Sequence, residues 1–252
     1  MFIDTHCHLE NKYYDDINVV INNAIDAGVN KLIISGCDKN GILEGLEYLK
    51  KYKNLYMTVG FHPEFCEVVD DKDLEWLEDI VKKNKKIVGI GEIGLDYYYT
   101  KDNKEKQIDL FKKQLDIAKR LSMPVVIHSR DAFNDTYNLL KEIEVAGVIH
   151  CFTSNIENAK KYISLGFKLG IGGVLTFKNS NLKDVIRDID LKYLGLETGS
   201  HYLSPEPFRG KLNEPKNIPL IAEKIALIKK IELNEVANIT SDNAMKVFDL
   251  KC

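Results

Sequence analysis

The chain has 252 residues, 44% hydrophobic and 29% charged, which is an ordinary globular composition, long enough for one large domain or two small ones. The net charge of −3 excludes a protein that holds nucleic acid by an overall basic surface, so any polyanion would have to be attracted locally, by a patch or by metal ions. No apolar run approaches the ~20 residues of a membrane span, and we expect no secretory signal at the N-terminus. Five scattered cysteines indicate reduced thiols in a cytoplasmic protein.

Short apolar runs alternate with longer amphipathic stretches along the whole chain. The runs predicted as strands are residues 1–9, 31–36, 55–62, 86–94, 124–129, 146–152, 167–173 and 193–199. Helical periodicity between them is clear at 17–28, 74–84, 104–121 and 155–166, where the last helix is expected to start at Ser154 and to stop at Gly166. After the eighth strand, residues 203–219 predict a long loop and residues 220–230 a closing helix.

Eight strands alternating with helices predict an α/β protein with a (β/α)8 TIM barrel. A doubly wound open sheet is the main alternative, although eight evenly spaced parallel strands would make it a long one. No linker-like or low-complexity segment divides the chain, so we expect a single domain over residues 1–252. Because barrel enzymes act at the carboxyl ends of their strands, polar residues at those ends are the candidates for function.

Five of the six histidines end predicted strands, and a glutamate joins them. These residues are His6 and His8 on the first strand, His62 on the third, Glu92 on the fourth, His128 on the fifth and His150 on the sixth. In the His6-x-His8 pair both imidazoles face one side, because side chains alternate along a strand. Glu92, inside the apolar run GIGEIGL, would be costly to bury without a strong partner. Together these residues predict a metallohydrolase, with ligands suited to zinc, manganese, nickel or iron and with Glu92 bridging two ions.

Other interpretations of the same residues stay open. Each histidine alone could be a packed core residue, Glu92 could form a buried salt bridge, and a single ion would suffice for simpler hydrolysis. A nucleophilic Ser129 or Ser200 is disfavoured, because the chain has no Gly-x-Ser-x-Gly turn. By strand alternation, Cys7 and Cys151 are expected to face away from the site as small buried apolar residues.

The chain resembles the TatD family of metal-dependent deoxyribonucleases, within the amidohydrolase-like barrels. The matching stretches, in the family's order, are FIDTHCHLE, VGFHPEF, GIGEIGLDYYY, PVVIHSRDA, GVIHCF, LETGSHYLSP, FRGKLNEP and SDNAMKVF. The resemblance implies a TIM barrel of the metal-dependent hydrolase type that hydrolyses phosphodiesters, removing nucleotides from DNA ends in the 3′ to 5′ direction. We expect a cytoplasmic monomer that binds DNA transiently as its substrate and does not bind membranes.

The resemblance also implies a role for each site residue. Two divalent ions, of zinc, manganese, magnesium, nickel or iron, would be held, the first by His6 and His8, the second by His128 and His150, and both by Glu92. His62 and Arg130 would lie near the substrate phosphate.

The eighth-strand stretch departs from the family's pattern. Where the family typically has Glu-Thr-Asp-(Ala or Ser)-Pro-Tyr-Leu, residues 197–203 read ETGSHYL. Gly199 replaces the aspartate expected to bind the first ion and to take the proton from the attacking water, so we expect weakened metal retention, with one ion or partial occupancy, and attenuated activity. His201 replaces the usual proline, and Leu212 stands where arginine is often found.

Three explanations of Gly199 remain open. The chain is a natural member with impaired or rerouted activity, it carries an engineered or accidental substitution, or His201 swings in as a substitute ligand.

Three functions also compete. The first is a two-metal deoxyribonuclease, active or attenuated. The second is hydrolysis of an amide, lactone or aminoacyl ester by the same barrel, and the third is a catalytically silent metal- or nucleic-acid-binding protein. Amide-cleaving relatives often carry a modified lysine as the bridge, so Glu92 favours the phosphodiester.

Overall fold

Eight parallel strands, each followed by a helix, run in chain order around one sheet. The computed structural model describes residues 1–98 and 100–251. The strands are β1 (Phe2–Cys7), β2 (Val29–Gly36), β3 (Leu55–Val59), β4 (Ile87–Asp96), β5 (Val125–Arg130), β6 (Gly147–Ile149), β7 (Lys168–Ile171) and β8 (Leu194–Leu196). The helices are α1 (Ile17–Asp26), α2 (Lys39–Lys51), α3 (Asp71–Lys83), α4 (Lys104–Leu121), α5 (Phe133–Glu142), α6 (Ile156–Ser164), α7 (Leu182–Asp188), α8 (Ile218–Lys229) and α9 (Leu233–Val247). The predicted barrel is confirmed, and the order β1 to β8 excludes a doubly wound sheet, whose strand order reverses at a switch point.

The sheet curves round until β8 meets β1. The hydroxyl of Thr5 donates a hydrogen bond to the carbonyl of Leu196 at 2.9 Å. Just beyond the strand, the N–H of Gly199 donates to the carbonyl of His6 at 3.0 Å. The segment after β8 is therefore held beside the two histidines at the end of β1.

Capping side chains set where the outer helices begin. Asp38 accepts a hydrogen bond from the third residue of α2, and Asp70 and Asp73 form a reciprocal capping box at α3. This box explains why α3 begins three residues before the predicted start at 74. At α6 the cap is Asn155, one residue beyond the predicted Ser154.

The amino end of the barrel is filled by apolar side chains and covered by the last helix. One residue from each of five strands contributes, together with three residues from α9 and the turn after it: Ile3, Ile33, Val88, Val126, Val148, Ala244, Phe248 and Leu250. Asn243 of α9 donates hydrogen bonds at 2.8 Å to the carbonyls of Leu191 and Leu194. The predicted closing helix at 220–230 corresponds to α8, and α9 is an addition. Because this end is packed, only the carboxyl end is left open for chemistry.

The predicted loop after β8 is present and ends where α8 begins, with Pro219 in the first turn. Asn213, fully buried, fastens it: the side-chain amide donates to the carbonyls of Thr198 and Tyr202, and the backbone N–H donates to the carbonyl of His201. The loop therefore lies against the carboxyl end of β8. In the part of the chain that the structure describes, no helix has the length and apolar character needed to cross a membrane.

Candidate metal centre

A single buried carboxylate lies between two pairs of imidazoles at the carboxyl end of the barrel. The side chain of Glu92 is 5% exposed, and its Oε2 lies 3.3 Å from Nε2 of His6 and 3.8 Å from Nε2 of His8. Its other oxygen, Oε1, lies 2.7 Å from Nδ1 of His128 and 3.7 Å from Nε2 of His150. The two oxygens thus face different pairs, which is the arrangement expected of a bridging carboxylate. The prediction that Glu92 ends the fourth strand is wrong, because β4 continues to Asp96.

The donor atoms are close enough to hold metal ions. Two groups, in each of which the donor atoms lie within 4.8 Å of one another, share the central carboxylate: His6, His8 and Glu92, and Glu92, His128 and His150. The Nε2 atoms of His6 and His8 are 3.1 Å apart. Two nitrogens bound at ~2.0–2.1 Å to one tetrahedral ion would be roughly 3.3 Å apart, so the spacing fits a shared cation. Nitrogen and carboxylate donors in this mixture suit divalent transition metals.

Two further carboxylates hold the outer nitrogens of the second pair. Asp96 Oδ2 lies 2.9 Å from Nε2 of His128, and Glu197 Oε1 lies 2.9 Å from Nδ1 of His150. Metal-binding histidines commonly donate the free ring N–H to such a partner, which fixes the ring orientation. A Cβ at Gly170 would lie 2.0 Å from Oε2 of Glu197, so only glycine leaves room for this carboxylate.

Sequence reasoning did not assign roles to Asp96 and Glu197. The sequence feature that could have identified them is a carboxylate at the end of an apolar strand, in GLDYYY and in GLETG. It resembled the signal that singled out Glu92, but which histidine each carboxylate would contact depends on the register between neighbouring strands. Asp96 pairs directly with Arg130 in the ladder between β4 and β5, which brings its side chain alongside His128 two residues earlier.

Burial and neighbouring charges set the protonation of these groups. Burial alone would raise the pKa of Glu92, but the imidazoles of His150, His128 and His6 outweigh it and hold the pKa well below its ordinary value. Burial and the neighbouring imidazoles lower the pKa of His6 and of His8. The carboxylate is therefore ionised and the first histidine pair neutral, the forms in which they bind a cation.

The second pair behaves differently. Burial opposes the charge on His128, yet the carboxylates of Asp96 and Glu92 raise its pKa to about 9. Glu197 and Glu92 likewise outweigh burial and raise the pKa of His150. A metal ion that binds this pair must therefore displace protons from the two imidazoles. Asp96 and Glu197, which favour the protonated rings, are also the carboxylates that would orient the rings once metal is bound.

Asp96 and Glu197, which belong to neither of the two groups that share Glu92, give a direct test. In Glu197→Gln and Asp96→Asn we expect affinity for the second of two metal equivalents to fall about 10- to 100-fold, since the partners of His150 and His128 are weakened. Titration with Mn²⁺ followed by calorimetry measures both equivalents. Glu10→Gln is the matched control, because Glu10 pairs with Lys12 at the same end of the barrel and belongs to neither ligand group. Unchanged affinity in both test variants would contradict the orienting role.

His62 and Arg130 border this second pair. Nε2 of His62 lies 4.0 Å from Oε1 of Glu92, and its ring meets that of His128 edge-on at 4.5 Å. Arg130 ends β5 with its guanidinium 3.6 Å above the ring of Tyr98. A cavity of about 630 Å³ opens there, lined by residues that include Lys101, Lys104, Arg130, Phe133, His150 and Tyr162. Contact of His62 and Arg130 with a phosphate stays a prediction.

Position 199 points into the site. Gly199 has a φ of +55°, and a Cβ built on it would lie 3.5 Å from Cε1 of His150. His201 lies instead between two tyrosines, its ring centre 3.3 Å from that of Tyr13 and 3.9 Å from that of Tyr202. Among the described residues, no ligand group includes His201.

The cysteines near the site differ from one another. Cys7 faces away, as expected, with its thiol 3.5 Å from the carbonyl of Ile33. The same expectation for Cys151 is wrong, because β6 has ended and its φ of 45° breaks the alternation, so that its sulfur groups with His150 and Glu197. Cys37, which sequence reasoning passed over, places its sulfur 3.4 Å from Oε2 of Glu92.

The sequence and the fold are both similar to those of known metal-dependent hydrolases. Residues 3–249 match the family model described as TatD related DNase. The chain is 38% identical over 253 residues to the Bacillus subtilis protein named uncharacterized metal-dependent hydrolase YabD, covering 98% of this chain and 99% of that one. It is 35% identical over 256 residues to uncharacterized metal-dependent hydrolase YcfH of Escherichia coli, covering 98% and 96%. Among solved structures it resembles YjjV, a TatD homologue from Escherichia coli, with a TM-score of 0.94 and 30% identity over 99% of this chain and 98% of that chain.

Proposed function

This chain belongs to the TatD family of metal-dependent hydrolases, and from that premise we propose that it is a deoxyribonuclease that removes nucleotides from the 3′ end of DNA. The proposal includes two divalent ions at the centre and a monomer that binds DNA transiently. It also places the protein in the cytoplasm, supported by Cys7, Cys37, Cys66 and Cys151, whose free thiols suit a reducing compartment.

The observation that carries the proposal is the position of Glu92, with one carboxylate oxygen toward each histidine pair. The chemistry that two divalent ions supply at such a centre is a water of lowered pKa and a clamp on the attacking and leaving oxygens of a phosphodiester. The protein's part is to hold the ligands at a fixed spacing. We expect Asp96 and Glu197, each 2.9 Å from a ring nitrogen of His128 or His150, to orient those rings, so that little reorganisation is needed when substrate binds.

The cavity beside the centre supports a polyanionic substrate. Lys101, Lys104 and Arg130 line it together with Asp131 and Asp135, so that one more cation than anion faces the cavity, and Lys104 pairs with Asp135 at 2.8 Å. The overall charge of −3 gives no general attraction for DNA, so these cations supply the local patch that the composition requires. Arg130 is best placed for a phosphate, because it comes two residues after His128 on the same strand.

Gly199 favours one other candidate, a protein that binds metal and nucleic acid without cleaving it. The two candidates separate in one experiment, in which protein stripped of metal is reloaded with Mn²⁺, Mg²⁺ or Zn²⁺ and given single-stranded or duplex DNA labelled at the 5′ end. We expect shortening from the 3′ end that stops when EDTA is added. Metal binding without cleavage by the wild-type protein or Gly199→Asp would instead support the silent candidate. Cleavage of a lactone or an aminoacyl ester but not of DNA would support the remaining hydrolase alternative.

A further inference from the structure

Three aromatic rings pack together at the open end of the barrel, beside the first histidine pair. Tyr13 comes from the segment after β1, and His201 and Tyr202 come from the loop after β8. The rings of Tyr13 and His201 are nearly parallel, with centres 3.3 Å apart, and the ring of Tyr202 packs against that of His201 at 3.9 Å with a tilt of 46°. We refer to Tyr13, His201 and Tyr202 as the aromatic stack. The metal-dependent chemistry described above assigns it no role.

The stack is held in place by the backbone on which it is built. The amide of Asn213 donates to the carbonyl of Tyr202, and its N–H donates to the carbonyl of His201. The hydroxyl of Tyr14, next to Tyr13, donates to the carbonyl of Asn213 at 2.6 Å. One buried asparagine thus ties together both segments that carry the rings, so a ligand that stacks on them meets a surface ordered in advance.

His201 contributes to the stack as an aromatic ring, without a charge. Burial, followed by the charge of Lys12, lowers the pKa of His201 to about 4, so the imidazole is neutral near neutral pH. Neither of its ring nitrogens has a hydrogen-bond partner among the described residues. Its contacts with Tyr13 and Tyr202 therefore account for its position.

The outer end of the stack is exposed and lies close to the metal centre. Tyr202 is 67% exposed, although its backbone carbonyl accepts a hydrogen bond from the buried Asn213. The ring centre of His201 lies 6.3 Å from that of His8, a separation that one nucleotide unit can bridge. Lys12 adds a cation 4.7 Å above the ring of Tyr13. Exposed aromatic faces beside cations are typical of surfaces that stack the bases of single-stranded nucleic acid.

We propose that the aromatic stack holds the nucleobase next to the scissile phosphate, with Tyr202 as the ring on which that base stacks. The proposal rests on the proposed deoxyribonuclease function and names the protein surface that positions its substrate. Stacking tolerates every base, because each has a π face, so this contact would position the strand without selecting its sequence. It would act on the His8 side of the centre, opposite the cavity bordered by Arg130.

The test pairs substitutions of Tyr202 with the loss of single bases. Binding of a short single-stranded oligodeoxynucleotide, with phosphorothioate linkages to resist cleavage, is measured by fluorescence anisotropy, and an abasic residue is moved stepwise from the 3′ end. We expect Tyr202→Ala to weaken binding of the intact strand about tenfold, within the range measured for base–aromatic stacking. At one abasic position, wild-type protein and Tyr202→Ala should bind equally well, because the base that the ring contacts is gone. Tyr202→Phe should keep wild-type affinity.

Two controls separate stacking from loss of structure. Tyr202→Leu keeps an apolar side chain but no ring and should behave like the alanine variant, while Leu227→Ala removes an equally exposed side chain of α8 and should change nothing. A Tyr202→Ala penalty of the same size at every abasic position, or no penalty at all, would overturn the proposal. Cleavage of an unmodified strand is followed in parallel. If the strand is bound, loses the Tyr202→Ala penalty at one abasic position and is never cleaved, the aromatic stack is supported and the deoxyribonuclease function is refuted. If the strand is neither bound nor cleaved, both proposals are refuted.

Discussion

Replacing Gly199 with aspartate should raise the rate of DNA hydrolysis by about tenfold or more, since a positioned general base contributes ~10²–10⁴-fold. A Cβ at this position would lie 3.5 Å from Cε1 of His150, so the new carboxylate would enter the space between the histidine pairs. There it would add an oxygen ligand on the side of His6, whose carbonyl accepts the N–H of residue 199, and would take up the proton of the attacking water. The backbone is compatible, because aspartate is among the residues that adopt a φ near +55°.

The control for this variant is Gly199→Asn. Asparagine has the same shape and the same tolerance of a positive φ, but it carries no negative charge and accepts no proton. Comparison of kcat/KM for the three proteins, at saturating Mn²⁺, therefore isolates the carboxylate. Equal values for wild type and Gly199→Asp, with both proteins folded and loaded with metal, would show that position 199 has no catalytic importance.

Replacing Glu92 with glutamine should have the largest effect in the opposite direction. The amide keeps the volume but has only one oxygen and no charge, so one of the two histidine pairs must lose its carboxylate partner. We expect kcat/KM to fall by about 10³-fold or more, since losing one charge-stabilising donor already costs ~10²–10³-fold, and we expect bound metal to fall from two equivalents toward one or none. Elemental analysis of the purified variant measures the metal content independently of activity.

For this variant Glu10→Gln again serves as the control, because it removes a carboxylate beside the site without touching the ligand groups. A Glu92→Gln protein that still binds two equivalents with wild-type affinity would refute the bridging assignment. Loss of metal with an unchanged melting temperature of the metal-free protein would show that Glu92 serves metal binding and is not needed for stability.

The sequence was sufficient for the fold and for the convergence of the candidate ligands, because both follow from local pattern. Alternating apolar runs mark the strands, and the topology of a parallel barrel brings their carboxyl ends together. His6, His8, His128 and His150 therefore converge whatever the detailed packing. The family resemblance then divided these residues between two ions, and the separate orientations of the two oxygens of Glu92 agree with that division.

What the sequence did not reveal depends on contacts between distant segments. The partnership of Glu197 with His150 requires the register of three neighbouring strands and the space left by Gly170. Helix α9 was missed because polar residues, among them Thr240, Ser241 and Asn243, interrupt the apolar residues on its buried face. The stacking of His201 on Tyr13 joins the segments that follow the last and the first strand, and nothing in either segment alone indicates it.

The closure between β8 and β1 also bears on how the protein is made. The N–H of Gly199 donates a hydrogen bond to the carbonyl of His6, so the first candidate ligands to leave the ribosome are joined by a segment that is synthesised much later. While translation is under way, His6, His8, His128 and His150 all emerge before Glu197, the carboxylate beside His150. A polypeptide released before the eighth strand would carry every imidazole of the centre and still lack its geometry. We therefore expect metal affinity to depend on synthesis of the whole barrel.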